Sequence, residues 1–362
     1  MKRVVLLGLT VLLAACNTET KPPVAVTPTL EGYVALGDSL TAGFQSGGLT
    51  AEGGRNSYPV LLSKLAGYPI NAPLGKDPGC PPPIPKGVSD VTADSCQRLN
   101  STEVVSNFGV PGARLEDLNV VTAASLSSIS PGVAALYNLI LGPTDTQVSA
   151  AIKAKPKFIT LWIGSNNWLG ALSSTPPAPV TPAATFEKDY AALLEALKPA
   201  TDGAKVVLIT VPGPDQAPII TSSKTIFELG AGEDDCKTSP NLFNGGYVLQ
   251  AIKTKKIACS TDLNAITPAI YQQALDTIAA YNVSIKKLAD ARGFKVFDSA
   301  SLAADTLKNE YSPAGAAKGQ PFGADISLDG VHPSSAGYTK IARALAKFIN
   351  ESYGTKIAIP SS

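Results

Sequence analysis

The chain has 362 residues, of which 30 are Lys or Arg, 29 are Asp or Glu, and a single one is His. Its formal net charge of +1 and the lack of a dense basic cluster in the sequence argue against nucleic-acid binding. The length is sufficient for one large α/β domain with a substantial core.

The start of the chain predicts export and lipid anchoring. Residues 1–15 combine a basic start with an apolar stretch too short to span a bilayer, as in a signal peptide. The run Leu13-Ala14-Ala15-Cys16 resembles the bacterial lipobox, which implies cleavage before Cys16 and lipid attachment to its thiol. The alternative is an ordinary secretory signal that happens to end in cysteine. We expect the Pro- and Thr-rich residues 16–30 to tether a domain at 31–355 to a bacterial membrane, facing the periplasm or the cell exterior.

With Cys16 lipidated, four cysteines remain, and an even number in an exported chain favours two disulfides. Proximity in sequence favours the pairs Cys80–Cys96 and Cys236–Cys259, although four cysteines allow three pairings. A zinc site is the competing interpretation. It is disfavoured because no C-x-x-C pair is present and the one histidine lies far away in the sequence.

Short apolar runs that alternate with helical patterns predict a parallel sheet. The predicted strands are 33–36, 104–108, 157–163, 206–211 and 294–297. Apolar residues recur every three or four positions within 270–288 and 338–348, as one buried helix face requires, and Ser334 or Ser335 is the expected N-cap of the last helix. Apolar strands separated by helices predict a three-layer α/β/α fold with a mostly parallel sheet of about five strands.

Four polar runs follow predicted strands or precede the last helix, where sites form in parallel sheets. They are Gly37-Asp38-Ser39-Leu40, Asn107-Phe108-Gly109-Val110-Pro111-Gly112, Gly164-Ser165-Asn166-Asn167 and Asp329-Gly330-Val331-His332. In this order they resemble the four blocks of the SGNH (GDSL-type) esterase and lipase superfamily, over roughly residues 33–354. The resemblance implies a flavodoxin-like α/β fold and hydrolysis of carboxylic esters without a metal or cofactor.

The residues themselves predict a catalytic triad. A serine hydroxyl becomes nucleophilic when a base removes its proton, and His332 is the histidine available to Ser39. Asp329, three residues before His332, is placed to accept the imidazole Nδ1 proton. The alternative roles are structural, with Ser39 as a helix N-cap and Asp329 as a turn residue.

Acyl transfer also needs donors for the oxyanion, and three are predicted: the Ser39 backbone N–H, the Gly112 N–H and the Asn166 side-chain amide. Gly109 competes with Gly112, which the family pattern favours. Asn167 stands where family members usually carry Asp, a change that affects the hydrogen bonding of the loop.

The sequence also suggests roles for two residues beside these blocks. We expect Asp38 to tie down its loop by hydrogen bonds. Trp168 is expected either to wall an acyl pocket or to pack in the core or at its rim.

The sequence does not identify the ester. Lipid esters, short acyl esters and acetylated polysaccharides are all compatible with the four blocks. Two long insertions, the first near 45–100 and the second near 213–262, hold the predicted disulfides and are expected to cap the site and set its specificity. The alternatives to a hydrolase are an acyltransferase that uses the same triad and a non-catalytic binding lipoprotein on the same fold. We expect a monomer.

Overall fold

The structure is a computed structural model that describes residues 30–84, 96–251, 253–305 and 311–360. The predicted signal peptide, Cys16 and the tether up to residue 29 therefore lie outside the described residues. In the described ranges, every helix falls short of the length and apolar character that crossing a membrane requires.

Four parallel strands form the main sheet of the described chain. In chain order the strands are β1 (Tyr33–Gly37), β2 (Phe158–Trp162), β3 (Lys205–Ile209), β4 (Ile220–Ser222), β5 (Leu242–Asn244) and β6 (Lys295–Phe297). The main sheet has the order β1-β2-β3-β6, and each neighbouring pair is parallel. β4 and β5 pair separately and antiparallel.

Helices connect the strands. They are α1 (Ser39–Ala42), α2 (Ala51–Arg55), α3 (Tyr58–Leu65), α4 (Asp117–Val120), α5 (Ala123–Leu126), α6 (Pro131–Leu141), α7 (Gln147–Ala154), α8 (Asn166–Leu172), α9 (Ala183–Ala196), α10 (Lys198–Thr201), α11 (Ser223–Glu228), α12 (Gly245–Ala251), α13 (Pro268–Asp290), α14 (Ala300–Asp305), α15 (Pro313–Ala316) and α16 (Ser335–Tyr353). Short 3₁₀ turns lie at Pro214–Gln216 and Asp234–Lys237. Ser334 caps α16 by accepting a hydrogen bond from the Gly337 N–H.

Helices cover both faces of the main sheet. Successive side chains of a strand point to opposite faces, so β1 directs Val34 and Leu36 into one core and Tyr33 and Ala35 into the other. The first core includes α6, α7, α9 and α13, and the second includes α3 and α16. This arrangement confirms the predicted three-layer α/β/α fold with a parallel sheet.

The prediction of a strand at 104–108 is wrong, because this segment adds no strand to the sheet. Val104 is 85% exposed, and Asn107 makes a single bridge to Ala35. The chain then turns inward at Gly109, where a Cβ would lie 2.7 Å from the Ala42 nitrogen and 2.9 Å from the Asp38 carbonyl. The segment therefore lies along the edge of β1 for a few residues and leaves it to pack against α1. Within the described residues, the main sheet has four strands and not five.

Both disulfides lie in the long insertions. Cys80 is bonded to Cys96 in the first insertion, and Cys236 to Cys259 in the second. These are the pairings that sequence proximity favoured. The second insertion has its own small core, whose buried members include both cysteines together with Ile226, Phe243 and Ile257.

Candidate active site

Ser39 lies where β1 ends and α1 begins, at the carboxyl edge of the main sheet. The N-cap of α1 is Asp38, whose side chain accepts a hydrogen bond from the Leu40 N–H at 3.0 Å. The alternative role of Ser39 as the N-cap is therefore wrong. As the first residue of the helix, Ser39 makes no intrahelical hydrogen bond with its own backbone N–H. The Ser39 hydroxyl and the Ser39 N–H therefore both lie at the start of α1, and the N–H has no partner within the helix.

His332 links Ser39 to Asp329. Its Nε2 lies 2.7 Å from the Ser39 Oγ, and its Nδ1 lies 2.9 Å from the Asp329 Oδ2. A tautomer with the proton on Nδ1 donates to the carboxylate and leaves Nε2 to accept the serine proton. The structure brings together the three residues that the sequence predicted as a triad.

Asp329 is held by several donors besides His332. Its Oδ1 accepts hydrogen bonds from the backbone N–H groups of Val331 and His332, both at 2.9 Å, and from the Ser327 hydroxyl at 3.1 Å. Its Oδ2 accepts one from the Gly47 N–H at 2.8 Å. Burial by itself raises the pKa of Asp329, but the neighbouring His332 and these donors outweigh burial and hold that pKa well below its usual range. The turn role and the contact to histidine therefore coincide in one carboxylate.

The first insertion contacts the 327–333 loop, which carries Asp329 and His332. The Ser46 N–H donates to the Ser327 Oγ at 2.8 Å, and the Ser46 hydroxyl accepts from the Leu328 N–H at 3.2 Å. The disulfide-bonded segment supports this contact, because the Ile84 N–H donates to the Ser46 carbonyl and the Cys80 N–H to the Leu49 carbonyl. Sequence reasoning missed Ser46, Gly47 and Ser327, since nothing in the local sequence indicates a partner some 281 residues away.

The second insertion contacts the same loop through Ile219, whose N–H donates to the Gly330 carbonyl at 2.9 Å. Gly330 has φ +68°, and a Cβ there would lie 2.8 Å from the Phe322 ring. A side chain at position 330 would therefore displace the turn between Asp329 and His332.

Asn166 lines the cavity and lies close to Gly112. The Asn166 Nδ2 donates to the Ala113 carbonyl at 2.8 Å, so the residue after Gly112 contacts the amide directly. Gly112 is exposed with φ +83°, and the space around its Cα is open. Gly109, the competing candidate, is packed tightly against α1.

Asn167 is explained by its hydrogen bonds. Its Oδ1 accepts from the Leu115 N–H at 3.0 Å, and its Nδ2 donates to the Glu116 carboxylate at 2.9 Å. An aspartate at this position has no N–H to donate and would face Glu116 with a second negative charge. The amide is therefore matched to its neighbour on this loop.

Asp38 lies directly before Ser39 and is fully buried. Burial raises its pKa to about 6, which outweighs the opposing effects of the Leu40 N–H donor and of nearby His332. Phe44 contacts the His332 ring edge-on, with ring centroids 4.9 Å apart. The His332 ring therefore contacts one aromatic ring and lies near a second carboxyl group, that of Asp38.

A small cavity opens beside Ser39 and His332, and Asn166 and Trp168 line it. Trp168 is also 3% exposed and belongs to the first core, so both interpretations of this residue apply. Among the residues that the structure describes, no cluster of three or more His, Cys, Asp or Glu side chains is suited to a metal ion.

Comparison with known proteins identifies a family and several similar structures. The family profile described as "GDSL-like Lipase/Acylhydrolase" matches residues 33–345. No curated protein sequence matches the chain. Among solved structures, the lipase/acylhydrolase from Enterococcus faecalis shares 15% identity over 91% of this chain and 99% of that one, with a TM-score of 0.37. The Clostridium thermocellum family 3 carbohydrate esterase shares 14% over 88% and 94%, with a TM-score of 0.38.

Proposed function

Because the chain belongs to the GDSL-like lipase/acylhydrolase family of ester hydrolases, we propose that it hydrolyses carboxylic esters through an acyl-enzyme on Ser39. One observation carries the proposal: the Ser39 Oγ lies 2.7 Å from a histidine nitrogen whose partner nitrogen contacts Asp329 at 2.9 Å. This is the arrangement that a general base needs in order to activate a serine hydroxyl.

In the acylation half-reaction the Ser39 Oγ attacks the ester carbonyl carbon while its proton moves to the His332 Nε2. A bond from Oγ to carbon forms, and the carbonyl π electrons move to the oxygen. Asp329 stabilises the imidazolium that results. When the tetrahedral intermediate collapses, the bond to the alcohol oxygen breaks, and His332 returns its proton to that oxygen.

Three donors are proposed to bind the negatively charged oxygen. They are the backbone N–H groups of Ser39 and Gly112 and the Asn166 Nδ2. An amide nitrogen carries two hydrogens, and the contact to Ala113 uses one of them. The second is left for the substrate. Loss of one such donor typically lowers kcat by about 100- to 1000-fold.

Deacylation repeats the same steps with water. His332 takes a proton from the water as its oxygen attacks the acyl carbon. The bond to the Ser39 Oγ then breaks and the serine oxygen recovers the proton. The products are one carboxylic acid and one alcohol per ester, with one water consumed.

The test is hydrolysis of p-nitrophenyl esters by the wild-type protein and by Ser39→Ala. We expect kcat/KM to fall about a thousandfold or more in the variant, because the nucleophile is lost. Ser127→Ala, at an exposed helix end, is the matched control and should retain wild-type activity. Equal rates for the wild type and Ser39→Ala on every ester tried would refute the proposal.

We also propose that the protein is exported and lipid-anchored through Cys16. The lipobox-like run that ends at Cys16 supports this, and the two disulfides are typical of an oxidising compartment. The test is expression of the full chain in a bacterial host, with Cys16→Ser as the variant. The wild type should fractionate with membranes and carry a lipid-sized mass increase on Cys16, and the variant should carry none. Recovery of wild type with an unmodified Cys16 would contradict the proposal.

A further inference from the structure

The cavity beside Ser39 and His332 is walled mainly by apolar side chains from separate parts of the chain. Trp168 and Leu169 come from α8, Ala217 from the second insertion, Leu302 from α14 and Ile326 from the loop before Asp329. Ser165, Gln216 and Ser299 also line the cavity, but apolar atoms make up most of its surface. Since it adjoins the nucleophile, its chemistry suits a hydrocarbon chain.

The cavity is small. Its volume is about 50 Å³. One water molecule needs about 10–15 Å³ of such space, so the cavity holds roughly four groups of that size. Pockets that enclose drug-sized ligands have volumes of several hundred Å³. An acyl chain of a few carbon atoms fills this space, and a fatty acyl chain exceeds it.

The walls are also firmly held. Trp168 is 3% exposed and packs in the core on one face of the sheet, whereas Leu302, 2% exposed, packs in the core on the other face. The cavity therefore lies where the two cores meet at the sheet edge. Protein interiors are close-packed and resist expansion, so these two walls do not move aside readily for a longer chain.

From this geometry we propose that the cavity receives the acyl group and restricts the enzyme to esters of short carboxylic acids, from acetyl to about butyryl. The inference rests on the proposed function, since it assigns the cavity to the acyl part of an ester attacked by Ser39. It excludes long-chain lipid esters as preferred substrates, even for a membrane-anchored protein.

The first experiment measures kcat/KM of the full protein for p-nitrophenyl acetate, butyrate, octanoate and decanoate, with Ser39→Ala subtracted. We expect acetate and butyrate to exceed octanoate by tenfold or more, because one methylene too many in a tight pocket already changes kcat/KM by about 10- to 200-fold. If no ester shows turnover dependent on Ser39, the proposed function fails. If octanoate or decanoate is turned over as well as butyrate in a Ser39-dependent way, the function stands and the short-acyl inference is overturned.

The second experiment enlarges the cavity. Leu169 is partly buried, so Leu169→Ala should fold and should raise the octanoate-to-acetate ratio of kcat/KM by about tenfold. Leu141→Ala, another partly buried leucine packed against the same core but outside the cavity, should leave that ratio unchanged. Trp168→Ala enlarges the cavity further and tests the same wall a second time. A ratio of two kcat/KM values does not depend on how much of the variant folds. An unchanged ratio in both Leu169→Ala and Trp168→Ala would show that the acyl group binds elsewhere.

Discussion

Asp329 shows how one residue serves the turn and the proposed reaction together. Its Oδ1 accepts the N–H groups that shape the 327–333 loop, and its Oδ2 faces the His332 Nδ1. A charged acceptor at this position favours the tautomer that leaves Nε2 free to accept a proton. The low pKa of Asp329 keeps the carboxylate ionised throughout the range in which proteins are usually assayed.

The variant Asp329→Asn tests this role. The amide is nearly the same size but lacks the negative charge, so the imidazolium loses its stabilising partner. We expect kcat to fall by about 100- to 10,000-fold with a smaller change in KM. Asp325→Asn, at a carboxylate that pairs with Lys340 near the same loop, is the control and should keep kcat within a few-fold. Steady-state kinetics on p-nitrophenyl acetate measures both, and an undiminished kcat in Asp329→Asn would remove Asp329 from the mechanism.

Asp38 carries a prediction about stability and pH. The pKa of this carboxyl is about 3.8 in the unfolded chain, and burial raises it to about 6 in the folded protein. A raised pKa stabilises the fold below about pH 4, and that contribution is lost as the pH rises through 6. Asp38→Asn keeps an oxygen for the Leu40 N–H without the charge.

The free energy of unfolding of Asp38→Asn minus that of wild type should therefore be larger at pH 8 than at pH 4 by about 2–3 kcal/mol, because wild type alone loses stability as its buried carboxyl ionises. Urea denaturation at the two pH values measures the difference. A constant difference between the two proteins across this range would contradict the prediction.

The residues of the candidate site differ in how far the sequence could predict them. Ser39, Asn166 and His332 stand in short runs that follow predicted strands or precede the last helix, so their proximity could be predicted. The structure places all three around one cavity. Gly47, which donates to Asp329, stands 282 positions away in a loop with no recognisable partner. A local pattern records the turn that a residue makes but not the distant group that it contacts.

At the scale of elements, the positions of the two insertions could be predicted from the sequence, but their conformations and contacts could not. Both contact the 327–333 loop, the first through Ser46 and Gly47 and the second through Ile219. Strands β1, β2 and β3 were predictable because each is an apolar run buried on both faces. The run at 104–108 also starts with two valines and ends with a phenylalanine, yet Val104 is exposed, because burial there depends on neighbours that periodicity does not reveal.

The Cys80–Cys96 disulfide is expected to support catalysis through the first insertion. Its segment holds Ser46 and Leu49 by backbone hydrogen bonds, and the adjoining Gly47 N–H contacts Asp329. In the double variant Cys80→Ser/Cys96→Ser we expect kcat to fall about tenfold with little change in KM, since the carboxylate shifts while the acyl cavity stays.

The matched control is Cys236→Ser/Cys259→Ser, which opens a disulfide in the separate small core of the second insertion. It should lower thermal stability and change kcat less than the first pair. Steady-state kinetics at a temperature where all three proteins are folded makes the comparison. Equal kcat values for both double variants would show that the first disulfide does not support the site.

The whole molecule depends on two cores that share one sheet. The last helix, α16, packs with α3 in the second core, and Tyr338 on α16 donates a hydrogen bond to the Phe44 carbonyl beside the site. The last helix is thus part of both the core and the support of His332.

Leu345→Ala on α16 should lower the free energy of unfolding by about 2–5 kcal/mol, because a fully buried leucine leaves a cavity when truncated. Leu263→Ala, at a position that is 83% exposed, should change stability by less than about 0.5 kcal/mol. Urea denaturation gives both values. A loss of similar size at the two positions would mean that α16 is not anchored in the core as described.

The contact between Ser39 and His332 joins residues 293 positions apart in the sequence. A chain that is still being synthesised, or is still passing through a membrane, holds the proposed nucleophile long before it holds the base. Under the proposed mechanism such a chain hydrolyses nothing, because a serine hydroxyl without its base is a poor nucleophile. Under that mechanism hydrolysis starts only once His332 has been added and its loop has docked against Ser39, so its timing is set by the completion of folding.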